Sequence, residues 1–186
     1  MQLSARLARC ATWLDTLGLL ALAGVLWFAF AWQLLLHELP CPLCLLQRVA
    51  FAMAGIGLLL NLRSGVRPLH YGVVILSSLA GLVASARQVL LHIAPGDPGY
   101  GSPFMGLHFY TWAVVAFFVL LVYCGVMLLA DRVDERPQSR GLGLLVRIAA
   151  LAFLSILLVN VVGTTLECGF GPCPDNPTAY PWLRWL

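Results

Sequence analysis

The chain has 186 residues, of which 61% are hydrophobic and only 10% charged, with a mean hydropathy of +0.89. Soluble domains carry about a quarter charged residues, so ordinary soluble folding is excluded, and so is disorder, which needs a far more polar chain. The formal charge of +3 comes from eleven arginines and no lysine, an excess too modest for nucleic-acid binding and better suited to reporting membrane orientation.

Five apolar stretches follow one another at 17–36, 42–62, 69–93, 109–130 and 148–166. Each approaches the ~20 residues that one helical crossing needs, and an unpaired backbone in lipid makes the helix the natural form. The expectation is an all-α membrane protein: one integral domain over 1–186, with 167–186 as an external tail. Arg6 and Arg9 precede the first stretch, Arg63 and Arg67 lie between the second and third, and Arg132, Arg136, Arg140 and Arg147 lie between the fourth and fifth. These are eight of the eleven arginines, and the alternate connections, 37–41 and 94–108, hold none. The positive-inside rule then places the N-terminus in the cytoplasm and the C-terminus outside. The first apolar stretch is too long for the 7–15-residue core of a cleaved signal peptide, so it is expected to stay as a span.

That orientation sorts the six cysteines. Cys10 and Cys124 fall on the cytoplasmic side and receive no role, because free cysteine is often a small buried hydrophobe. The other four lie outside, where disulfides are permitted. Cys41-Pro42-Leu43-Cys44 opens the second span. Pro42 suits the first helical turn, which puts Cys44 at a helix N-terminus, where the dipole favours a thiolate. Arg48 lies four residues on, along the same face. An arginine inside a membrane helix is costly and points to function, with snorkelling to the interface as the plainer alternative. A thiolate at the membrane edge is placed to meet a lipid-soluble electron acceptor.

Cys168-Gly169-Phe170-Gly171-Pro172-Cys173 follows the fifth span. Its glycines and prolines stop the helix and give a mobile segment. It is either a structural bridge or a shuttle pair, and the neighbouring external pair favours the shuttle. Tyr180, Trp182 and Trp185 suggest interfacial anchors. Arg87, Gln88 and His92 in the third span, with His108 near Trp112 at the start of the fourth and His37 before the second, gather polar groups near the level of Cys44. Pockets use few such groups, so a histidine contributing to an acceptor site is one expectation, and a satisfied interfacial residue the other.

The run Cys41-Pro42-Leu43-Cys44-Leu45-Leu46-Gln47-Arg48 strongly resembles the quinone-reducing motif of the DsbB family, membrane enzymes that generate disulfides in the bacterial envelope. Ala86-Arg87-Gln88-Val89-Leu90-Leu91-His92 is similar to that family's third span, and Gly106-Leu107 with Trp112 resembles the entry to its fourth. The resemblance covers roughly 13–130. It implies a four-helix transmembrane bundle, here with a fifth helix added, in the bacterial inner membrane. It also implies electron flow from a DsbA-like thioredoxin-fold protein, through two disulfides, to ubiquinone or menaquinone. By matching positions, Cys44 is the quinone-facing thiolate, Arg48 its electrostatic partner and Cys41 the cysteine that exchanges with the second pair. Arg87, His92 and His108 are the further acceptor-binding candidates. In the family the second pair lies between spans three and four. Here that connection has no cysteine, and Cys168 and Cys173 take its place from the C-terminus. The path of the chain favours Cys173 as the partner-facing cysteine and Cys168 as the one meeting Cys41; family order favours the reverse. The alternatives are a non-enzymatic protein holding zinc or a structural site with the four external cysteines, and, less favoured, a vitamin-K-epoxide-reductase-like or haem-bearing protein.

Overall fold

A computed structural model describes residues 2–130 and 143–180, without the side chains of 2–9 and 130. Arg132, Arg136, Arg140, Trp182 and Trp185 lie outside the described residues, as do the side chains of Arg6 and Arg9. Five helices follow in order: α1 Gln2–Leu36, α2 Pro42–Ser64, α3 Pro68–Leu91, α4 Phe109–Ala130 and α5 Leu144–Cys168. All five are long and apolar enough to cross a membrane, α1 over Cys10–Leu36. The protein is a multi-pass, all-α membrane protein.

The boundaries differ from the apolar stretches where polar residues still suit a helix. α1 begins well before residue 17, because nothing between Gln2 and Thr16 is glycine or proline. α2 and α3 start with proline in the first turn, where its missing N–H is harmless. α5 runs on to Cys168 and stops at Gly169, whose φ of 64° is cheap only for glycine. Glu167 and Cys168 therefore belong to the last turn of a helix, not to the tail.

α2 is the hub. It packs against α1 on one side and α3 on the other; α4 lies against α3, and α5 against α1 with a lesser contact to α2. The interior is filled by residues such as Leu26, Phe51, Leu58, Phe117 and Phe153, while Leu76, Val83, Leu129 and Leu151 stand exposed on the outside. An apolar exterior is what lipid demands. In the second half of α3 the inward stripe is instead small or polar, Ser78, Gly81, Ser85 and Gln88, the pattern that lets membrane helices approach closely. Gly81 makes room for the Phe117 ring, which stacks on Phe51 at 4.0 Å.

α1 and α4 meet through side chains at two levels. At the end away from the cysteine pairs, the Tyr71 and Tyr123 hydroxyls both donate to buried Asp15, at 3.1 and 2.6 Å. At the other end, Phe28 and Trp32 of α1 lie 5.9 and 5.3 Å from Phe109 of α4, centroid to centroid. Between these levels the two helices leave a gap.

Candidate functional site

Cys41 caps α2. Its backbone is extended, and its sulfur accepts a hydrogen bond from the Cys44 amide at 3.2 Å, a serine-like capping contact made by a thiol. This local geometry puts both sulfurs on one turn. Both are free thiols; Cys41 is buried and Cys44 partly so. Cys41 is held well above the ordinary thiol range, first by sharing a hydrogen bond with Cys44 and then by burial.

Gln88 of α3 bridges the two sulfurs. Its Nε2 donates to Cys41 Sγ at 3.2 Å and to Cys44 Sγ at 3.5 Å, while its Oε1 accepts from Gln47 Nε2 at 2.8 Å. At 1% exposure it is among the most buried polar side chains. Arg48 continues the polar line one turn below. Its guanidinium donates to Gln33 Oε1 at 2.7 Å, Asn160 Oδ1 at 3.3 Å and the Ala29 carbonyl at 3.3 Å. It is thus pinned by α1 and α5 and does not reach out to an interface. Its charge acts on Cys44 and on Glu167.

A cavity of about 620 Å³ occupies the gap between α1, α2 and α4. Its walls are apolar, with Phe28, Trp32, Phe51, Phe104 and Phe109 among them, and Gln33, Cys44, Gln47 and Arg48 supply a polar edge. Val25 and Val115 line it and are themselves exposed, so it opens sideways between α1 and α4. The arrangement suits a flat apolar ring carrying one or two hydrogen-bond acceptors, with a thiol at its edge.

The connection 94–108 closes the cysteine end of this cavity. Ser102 donates to the Glu38 carboxylate through its amide, at 3.0 Å, and through its hydroxyl, and Tyr100 donates its hydroxyl to the Leu39 carbonyl at 2.7 Å. Burial raises the Tyr100 phenol above its ordinary range, which keeps it a donor. The segment carrying Cys41 and the connection 94–108 are thereby tied together.

Of the candidate acceptor-binding residues, Arg48 lines the cavity and the other three do not. Arg87 is exposed on the outside of α3. His92 pairs with Asp97 at 3.0 Å, and the rings of His92 and His108 both stack on Tyr110, which does line the cavity. Gln88 does not stand out as a site residue by its chemistry alone; its place on the stripe Ser78, Gly81, Ser85, Gln88 carries the signal.

Cys168 and Cys173 form a disulfide that closes its own short loop. The tail beyond it returns to α1: Gln33 Nε2 donates to the Tyr180 hydroxyl at 2.6 Å. Tyr180 is thus bonded to the partner of Arg48, a tighter tie than the interfacial anchoring expected of it. Among the described residues, no group of three or more His, Cys, Asp or Glu converges to hold a metal.

Residues 11–101 match the family model described as disulfide bond formation protein DsbB. Those residues belong to the DsbB family. Similar relatives, each called disulfide bond formation protein B, come from Nitrosomonas eutropha, Xanthomonas axonopodis pv. citri and Chromobacterium violaceum. The first is 42% identical over 76 residues, covering 39% of this chain and 47% of the relative. The second is 41% identical over 86 residues, covering 44% and 50%, and the third 35% over 105 residues, covering 52% and 63%. The chain spans about half the length of the first relatives it matches. No solved structure gives a significant match. The DsbB-family segment contains Cys41, Cys44, Gln88 and Arg48. α4, α5 and the Cys168–Cys173 disulfide lie beyond it.

Proposed function

We propose that this protein is a membrane thiol:quinone oxidoreductase that regenerates a DsbA-like thioredoxin-fold disulfide donor and so supports disulfide formation and protein folding in a bacterial envelope. The observation that carries this reading is the position of Cys44. Within a DsbB-family segment, its thiol edges an apolar, side-opening cavity and is flanked by Gln47 and Arg48. In this reading the N-terminus is cytoplasmic and the cysteine pairs are periplasmic, in the inner membrane.

Gln33, Gln47 and Arg48 are donors suited to the carbonyl oxygens of a ubiquinone or menaquinone ring, and the aromatic walls suit its faces. The bound quinone supplies a two-electron acceptor. Cys44, beside Arg48, is the sulfur that faces it, and Cys41 closes the disulfide as the electrons leave. The Cys168–Cys173 disulfide receives electrons from the donor protein, with Cys173 as the cysteine attacked and Cys168 as the one that exchanges with Cys41. His92 and His108, stacked on Tyr110, and Arg87 act at the margin of the site.

Quinone reduction by the purified protein, driven by thioredoxin-fold donors, tests this. Activity is expected in the wild type and absent in Cys44→Ser, while membrane insertion is unchanged. Near-normal turnover by Cys44→Ser would overturn the reading. A donor lacking its resolving cysteine should become trapped on Cys173 in a Cys168→Ser background. Trapping only through Cys168 would reverse the order, and trapping through neither would make the second pair structural.

A further inference from the structure

Glu167 is a buried acid to which the exchange chemistry above gives no role. It is 1% exposed, and neither carboxyl oxygen has a hydrogen-bond partner among the described residues. A carboxyl stripped of water and donors either holds a proton or depends on a cation nearby. Among the described residues Arg48 is such a cation, and its charge acts on both Glu167 and Cys44. Among the described residues the guanidinium is held by neutral acceptors, the Gln33 and Asn160 side chains and the Ala29 carbonyl. One fixed positive charge therefore serves two acids.

Among the described residues, few other ionisable groups share this space. α1 has none between Asp15 and His37, α2 none between Arg48 and Arg63, and α5 none between Arg147 and Glu167. Tyr100 from the connection 94–108 is influenced by Cys41, Cys44, Glu167 and Glu38, which also lines the cavity, and Tyr180 from the tail acts on Arg48. Glu167 also directly precedes Cys168, one half of the second disulfide.

We propose that Glu167 and Cys44 alternate as the anion beside Arg48, with Glu167 taking the proton of the thiol that opens the Cys41–Cys44 disulfide. The proposal rests on the thiol:quinone reading. In the oxidised site Glu167 is a carboxylate. The Cys168 thiol gives its proton to Glu167; its sulfur bonds to Cys41, and the electron pair of the Cys41–Cys44 bond leaves on Cys44 as a thiolate. The Cys173 thiol then attacks Cys168, and Cys41 departs with that thiol's proton. Two electrons have entered, one proton rests on Cys41, and one rests on Glu167. On reoxidation the cysteine pair yields two electrons to the quinone, while Cys41 and Glu167 yield the two protons that complete the quinol. Glu167 is again a carboxylate, and the buried site has kept a single negative charge throughout.

The test needs no quinone. Oxidised full-length protein in weak buffer at neutral pH is reduced with excess dithiothreitol while a pH-indicator dye counts protons. Wild type should release none. Glu167→Gln, which keeps the shape but cannot take the proton, should release one per Cys41–Cys44 pair. Reduced-minus-oxidised infrared spectra should show a protonated-carboxyl band rising in wild type, shifted in Glu167→Asp and lost in Glu167→Gln. Equal proton release by wild type and Glu167→Gln, or no carboxyl band rising in wild type, overturns the proposal. If Glu167→Gln does not fold, the wild-type and Glu167→Asp spectra still decide. Failure of the broader reading looks different: quinone turnover survives Cys44→Ser whatever the proton count.

Discussion

Replacing Gln88 by leucine should make the Cys41–Cys44 pair harder to reduce. Gln88 Nε2 donates to both sulfurs, and these bonds favour the dithiol, because thiol and thiolate sulfur accept better than disulfide sulfur. Two such bonds at about 0.5–1.5 kcal/mol each amount to about 1–3 kcal/mol. At 30 mV per 1.4 kcal/mol, that is a fall in reduction potential of roughly 20–60 mV. A second cost cancels from the potential: Gln47 Nε2 loses its acceptor in either redox state, so the fold should weaken by about 1–3 kcal/mol. The assay equilibrates quinone-free protein in dithiol redox buffers, alkylates the free thiols and counts them by mass. Gln47→Ala, which leaves both donors to sulfur in place, should shift the potential by less than half as much. A Gln88→Leu potential equal to or above the wild-type value would refute the reasoning.

Other perturbations separate the supports of the site. Tyr100→Phe removes the bond to the Leu39 carbonyl, worth about 1 kcal/mol, so Cys41 should be alkylated several-fold faster with the fold intact. Gly81→Ala drives a Cβ to within 2.2 Å of the Phe117 ring, and thermal unfolding should show a loss of about 1–3 kcal/mol typical of overpacking. Asp97 is held below the ordinary carboxylate range first by the Gly99 amide and then by His92. A depressed acid stabilises the folded loop above its unfolded value and loses that effect as pH falls through the folded one. The protection of the Gly99 amide against hydrogen exchange, taken relative to its intrinsic rate at each pH, should accordingly fall under acid, below the usual carboxylate range, and Asp97→Asn should flatten that step.

What the chain disclosed and what it withheld have different physical origins. Spans are set by local composition, so five crossings were legible, and Cys41-Pro42-Leu43-Cys44 was legible because a helix start depends on a few adjacent residues. Facing is harder. Arg87 and Gln88 sit side by side, but neighbours on a helix point about 100° apart, so only one can turn inward. The charge drew attention to Arg87, whereas the stripe ending at Gln88 faces the sulfurs. Glu167 resembles the beginning of a tail because its burial depends on α5 carrying two residues further and packing on α1 and α2. The cavity is a matter of spacing between α1 and α4, which no local pattern encodes.

The sideways opening between α1 and α4 changes what limits encounter with an apolar ligand. Such a ligand comes from within the bilayer, where its search is confined to two dimensions and its local abundance is set by membrane composition. On the proposed reading, the ties joining Glu38 to Ser102 and Tyr100 to Leu39 would stay closed through every cycle, because a ligand entering sideways would not pass through them. If the proposed quinone is the ligand, its isoprenoid chain would remain among the acyl chains while its head group occupied the walled space, and selection would act on the ring rather than on chain length. Detergents enter by the same route, so measured affinities will depend on which amphiphile fills the gap.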